Sequence, residues 1–191
     1  MKRVLVTVLL AGLSCLSCSR DGSDDDKPAC PELDSGRPVD PALLAFLSRA
    51  RSAHHVADGF EEQKQLDRAV GVLEELVKGP QPGGQPPPSE VREVLSDTRA
   101  RIADLESRRG RFESAEQHLK QGLDLAREAT YFRGHLYEVR GLVEERRSKD
   151  LSAKGESGAA ETAKQRALEA FEESMKIQEQ VIKSTVPGDK P

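Results

Sequence analysis

The sequence predicts an all-α protein built from helical hairpins, with six main helices. Three observations predict it. Apolar residues recur at helical spacing from Asp40 to Ile182, and no segment alternates as a half-buried strand would. Capping residues, glycines and prolines fall between the periodic runs. Charged residues make up 32% of the chain and aromatics 4%, with no tryptophan, a composition of exposed helices rather than of a β-sandwich.

The first helix starts at Asp40-Pro41, where Asp40 suits an N-cap and Pro41 the first turn. Leu43, Leu44, Phe46, Leu47, Ala50, Ala53 and Ala57 follow, and Asp58-Gly59 is expected to break it. The second runs from about Glu61 to Lys78, with Leu66, Ala69, Val70, Leu73, Leu76 and Val77 on one face and Gly79 as its stop. Pro80 to Pro88, with five prolines and two glycines, reads as a loop, and Ser89 as the cap of the third helix. That helix carries Val91, Val94, Leu95, Ile102 and Leu105 to about Arg109, and Gly110 is the turn. The fourth covers Glu113 to Glu128. The fifth starts near Thr130 and carries Tyr131, Phe132, Leu136, Tyr137, Val139, Leu142 and Val143. Small polar residues from Ser148 to Ala160 predict a loop or a frayed helix. The sixth runs to about Lys183 through Leu168, Phe171, Met175, Ile177, Val181 and Ile182. Its stripe at Met175, Ile177, Val181 and Ile182 is expected either to cap the array or to serve as a docking face.

The amino-terminal segment has a different character. Lys2 and Arg3 precede an apolar run from Val4 to Leu13, then Ser14-Cys15. This is the pattern of a secretory signal, and the run is shorter than the roughly 20 residues a membrane-spanning helix needs. Residues 19–38 hold Asp21, Asp24, Asp25 and Asp26 among glycine, proline and serine, with almost nothing to bury. About 20 flexible residues reach roughly 25 Å. The organisation read from the chain is therefore a signal peptide over 1–14, a tether over 15–38, a helical domain over 39–185 and a loose tail over 186–191. The formal charge of −4 becomes more negative by two when Lys2 and Arg3 are removed. No basic patch recommends nucleic acid as a partner. Cys18 and Cys30 are left for a possible disulfide that closes a small loop in the tether.

Ala11-Gly12-Leu13-Ser14-Cys15 resembles the lipobox of bacterial lipoproteins. The resemblance implies cleavage before Cys15 and acylation of that residue; Leu16-Ser17-Cys18 repeats the motif and makes Cys18 the alternative. Two or three acyl chains exceed what stable anchoring requires. Leu16 rather than aspartate follows Cys15, and in the family this favours the outer membrane, facing the periplasm or the cell surface.

The helices also recur. Ala57, Ala69, Leu73 and Leu76 are spaced by twelve, four and three residues, as are Ala103, Ala115, Leu119 and Gly122. Gly141, Ala167, Phe171 and Ser174 match when an insertion is allowed between the first two. The pattern resembles the tetratricopeptide repeat, in which a small residue on each helix of a pair permits close crossing and a bulky one follows. Gly110-Arg111-Phe112-Glu113-Ser114-Ala115-Glu116 is similar to that family's turn, and Phe60 stands where the family favours an aromatic. The unit positions Ala57, Ala103 and Gly141 are spaced more widely than the family's repeat, and Glu106 and Glu144 replace the aromatic in the later units. The resemblance implies a solenoid of about three units over Asp40 to Ile182.

No catalytic or metal motif stands out. His54 and His55 are adjacent and diverge by about 100° on a helix; His118 and His135 stand alone, and no H-x-x-x-H, G-x-S-x-G or glycine-rich phosphate loop is present. The expectation is a protein with no catalytic residues, no metal and no cofactor. Repeat arrays bind through the face of their first helices. By register that face carries Arg51, His54 and Asp58; Asp97, Ala100, Asp104 and Arg108; and His135, Glu138, Leu142, Glu145 and Arg146. Its mixed signs disfavour a strongly charged ligand, and Asp58 and Asp104 stand where members of the tetratricopeptide family that clamp a C-terminal carboxylate carry asparagine. The expected function is a membrane-anchored adaptor or assembly factor binding a protein partner of a cell-envelope complex. The alternatives are a structural subunit of an envelope machine, a ligand carrier or an enzyme.

Overall fold

Asp40 does cap the first helix: its Oδ1 accepts from the Ala42 amide at 2.8 Å, and Pro41 occupies the first turn. In the computed structural model, which describes residues 40–185, that helix is α1 (Pro41–Glu62). It is followed by α2 (Leu66–Lys78), α3 (Ser89–Arg108), α4 (Phe112–Leu125), α5 (Tyr131–Ala153) and α6 (Ser157–Thr185). Every regular element among the described residues is a helix. Cys15, Cys18 and Cys30, with the signal, tether and tail, lie outside the described residues.

Helices α1 and α2, α3 and α4, and α5 and α6 pair as antiparallel neighbours along the chain. Each first helix also touches the next first helix, α1 on α3 and α3 on α5, and each second helix touches the following first helix, α2 on α3 and α4 on α5. One aliphatic cluster centred on Leu73, Leu76, Val91, Ile102 and Leu105 joins α1, α2 and α3. A second, around Ala100, Ala115, Leu119, Leu136 and Val143, joins α3, α4 and α5. The small residues at the expected crossings, Ala57 with Ala69 and Ala103 with Ala115, are all fully buried.

The three hairpins share one turn. Lys64, Gly110 and Gly155 each adopt positive φ (59°, 74° and 80°), at nearly even intervals along the chain. At each, the next residue's amide closes a loop onto the carbonyl five places back: Gln65 on Phe60, Arg111 on Glu106, and Glu156 on Leu151, at 2.8–2.9 Å. This is the Schellman arrangement, which satisfies carbonyls left open at a helix end.

Five boundaries differ from expectation, the simplest being the end of α4 at Leu125 rather than Glu128. Asp58-Gly59 does not break α1; its final turn packs through Phe60, and the stop comes at Lys64. Helix α2 therefore starts at Leu66 rather than Glu61. Ser89 does not cap α3 but opens it after Pro88, its hydroxyl turned to Glu90. Residues 148–160 form neither a loop nor a frayed end. They are the last turns of α5, a three-residue turn and the start of α6. The insertion in the third unit is thus helical, and the hairpin is longer rather than interrupted.

That length rests on small residues. Gly134, Gly141 and Ser148 recur every seven residues on α5, facing a buried seam of Ala160, Ala163, Ala167, Ala170 and Ser174 on α6. The backbones come close enough for Ser148 Oγ to donate to the Ala160 carbonyl at 2.7 Å and Ser174 Oγ to the Gly134 carbonyl at 2.8 Å. A Cβ added at Gly141 would lie 2.5 Å from the Phe171 ring.

Candidate functional site

The shared face of α1, α3 and α5 is where repeat logic places a binding surface. The fold brings most of the expected residues together there, but largely with one another. Arg101, on α3, reaches back to α1, where Asp58 Oδ1 and Glu61 Oε1 both accept from its Nη2 at 2.5 Å. Arg108 donates to Glu61 Oε2 at 2.7 Å and lies 3.6 Å from Asp104. Asp104 in turn accepts from Arg146 of α5 at 2.8 Å, and the same guanidinium donates to Ser107 Oγ at 2.7 Å. A chain of charge-assisted bonds thus crosses three helices.

His54 is inside this network. Arg101 has only donors to offer, so His54 Nδ1 accepts from it at 3.2 Å, and Nε2–H donates to Thr98 Oγ1 at 3.0 Å. The Thr98 hydroxyl in turn donates a hydrogen bond to the Val94 carbonyl at 2.7 Å. Every group is used with the imidazole neutral. Burial, then the Arg101 charge, hold the His54 pKa below its ordinary value. The hydrogen bond from Arg101 lowers Asp58. Burial pushes Glu61 up, but hydrogen bonds from Arg101 and Arg108 outweigh it and leave the carboxyl below the usual range.

His118 follows the same logic on the opposite helices. Its Nε2–H donates to Glu74 of α2 at 2.9 Å, and Nδ1 faces Arg99 of α3 at 3.4 Å. Arg99 also donates to Gln121. Burial is the leading cause of its lowered pKa. Glu106 is buried beside Arg109 at 3.0 Å, and burial raises its pKa.

The remaining expected residues divide. Ala100 is fully buried in the cluster it shares with Leu136, Val139 and Val143 of α5 and cannot meet a partner. Asp97 and Glu138 flank His135 at 3.8 and 3.4 Å, and Leu142 is half-buried. Glu145 accepts from Lys149 at 2.7 Å, and Arg51 is exposed. Sequence reasoning missed Glu61, Thr98, Arg101 and Ser107, the partners that complete the network. Their signal was weak, since a polar residue on an amphipathic helix reads as solvated until its cross-helix partner is known.

A groove of about 490 Å³ lies between α4 and α6, floored by Tyr137, Val143 and Glu144 of α5 and bordered by Glu116, Arg140 and Arg166. Glu144 is 7% exposed, and its Oε2 has no hydrogen-bond partner. Among the described residues, no group of three or more His, Cys, Asp or Glu side chains could hold a metal ion. No described helix is long and apolar enough to cross a membrane. No protein-family model, curated protein or solved structure matches the chain.

Proposed function

We propose that this chain is a lipid-anchored, non-catalytic adaptor or assembly factor of a cell-envelope complex. The helical domain is read as a tetratricopeptide-like array of three units, attached through Cys15 to a membrane outside the cytoplasm, the outer membrane by preference. The observation that carries the reading is the stacking of three hairpins by one rule: a common turn, buried small residues at the first two crossings, and first helices laid side by side. Such an array offers a long rigid face and lets chemistry fall to others. The ion network stiffens that face from α1 to α5. Arg51, Glu138, Leu142 and Glu145 are then its outward groups, while Asp58, Asp104, Arg108 and Arg146 hold the hairpins to one another.

The test is cross-linked affinity purification from membranes, together with labelling by a fatty-acid analogue. Cys15→Ser should abolish label incorporation, whereas Cys18→Ser should retain it. Defined envelope components should be recovered with the native protein. Loss of label from Cys18→Ser alone would move the anchor, and failure to recover any defined component would end the adaptor reading.

A further inference from the structure

Most apolar side chains of α6 face α5, but three do not. Leu168, Met175 and Ile182 are 51%, 66% and 60% exposed, half of the large exposed hydrophobics among the described residues. Seven residues make two helical turns less about 20°, so the three form one stripe about 21 Å long. The stripe differs from the one expected, since Ile177 is buried against α5 and Val181 is half-buried.

The array itself offers a comparison for Met175, the centre of this stripe. When the crossing residues Leu73, Leu119 and Phe171 are superposed by order, Val77 of α2 and Leu123 of α4 hold the place of Met175. Val77 is buried in the cluster shared with α3, and Leu123 packs on the cluster shared with α5. Both earlier positions therefore sit at clusters to which the following first helix contributes. Among the described residues no hairpin follows α6, and nothing there continues the interface.

Charge selects the occupant. Glu172 and Glu179 follow Leu168 and Met175 by four residues, so one edge of the stripe is acidic. Lys183 holds Glu179 at 2.6 Å from the side away from the stripe. Two antiparallel copies of α6 would set these glutamates against their own counterparts. Residues 19–38 bring Asp21, Asp24, Asp25, Asp26, Glu32 and Asp34 against only Arg20, Lys27 and Arg37, so the chain's own tether is repelled as well.

We propose that the outer face of α6 docks an amphipathic helix of another protein, with leucine-type residues at heptad spacing and lysine or arginine along one flank. It would be laid on α6 as α3 is on α2 and α5 on α4. The proposal rests on the adaptor reading and names the chemistry of its partner.

The test uses the full chain and two synthetic helical peptides about three heptads long. They share leucine at a and d and carry either lysine or glutamate at the flanking positions. Fluorescence anisotropy should show the lysine peptide binding at least about tenfold more tightly, with the preference weakened by salt. Met175→Glu on the chain should remove that binding without changing Tm, since Met175 is largely exposed. Equal binding of both peptides, binding that survives Met175→Glu, or no binding would each overturn the proposal. So would a dimer of this chain that Met175→Glu dissolves, which would assign the face to a second copy. If the peptides fail while envelope components are still recovered from membranes, this surface is wrong and the adaptor reading stands. Discrimination between the peptides with no component recovered keeps the surface and removes the adaptor.

Discussion

The cluster joining α1 and α2 is built on Phe46, Leu73 and Leu76; the seam between α5 and α6 is mostly glycine, alanine and serine, with Phe171 and Ile177 its larger groups. The first hairpin gains its stability by removing large aliphatic groups from water. The last gains it by bringing the backbones of two long helices close along their length, so that many small contacts add up. Glycine inside a helix costs about 0.5–1 kcal/mol relative to alanine, and α5 carries that cost at Gly141, where a Cβ would lie 2.5 Å from the Phe171 ring. The two regions should therefore fail under opposite kinds of change.

The largest expected effects test that opposition directly. Leu73→Ala empties a fully buried site and should cost about 3 kcal/mol. Ala167→Leu adds volume to the α5–α6 seam and should cost about 2 kcal/mol through overpacking. Chemical denaturation of each variant measures both. If Ala167→Leu proves neutral, the seam is not close-packed and the comparison breaks.

The hairpins also differ in how they are joined. Neutral His54 and His118 bridge the first hairpin to the second, whereas Arg146 with Asp104 bridges the second to the third. Both histidines have folded pKa values below the unfolded value near 6.5. The unfolded chain therefore binds more protons as pH falls through about 6.5, and the stability these groups contribute is complete above that pH and lost below it. Tm should fall between about pH 7.5 and pH 5.5, and the fall should shrink in the His54→Gln, His118→Gln double variant. An unchanged pH profile in that variant would remove the histidines from the joint. Asp58 and Glu61, with lowered pKa values, add a second loss only in the carboxylate range near pH 4.

The smallest effect concerns the turns. Lys64 takes the left-handed conformation that glycine takes in the other two hairpins. Lys64→Gly should raise stability by about 1 kcal/mol, since a side chain in that region is disfavoured by about 1–2 kcal/mol. A loss in the same denaturation assay would show that the Lys64 side chain makes a contact worth more than its strain.

Much of this fold could be read from the chain because its signals are local. Asp40, Pro41, Gly79, Gly110 and Thr130 mark ends by their own backbone chemistry. The failures occur where packing overrides them. Gly59 continues a helix because Phe60 still has a cluster to join, and Lys64 turns the chain although lysine carries no turn signal. Residues 148–160 looked like a loop because small residues mark loops and tight helix seams alike. Register collects charged residues of α1, α3 and α5 on one face, but it cannot pair them. Which cation meets which anion depends on the stagger of helices far apart in the chain, and Arg101 with Asp58 is such a pair.

The order in which helices touch has one more consequence. Each contacts only those within two places of it in the chain, so the segments to be closed during folding are short and their entropic cost is small. A chain emerging amino terminus first could close α1 on α2 before α3 has been made, and each later hairpin would then find a finished edge to grow on. Folding of this kind proceeds by accretion, and an interruption leaves a shorter stack rather than a tangle.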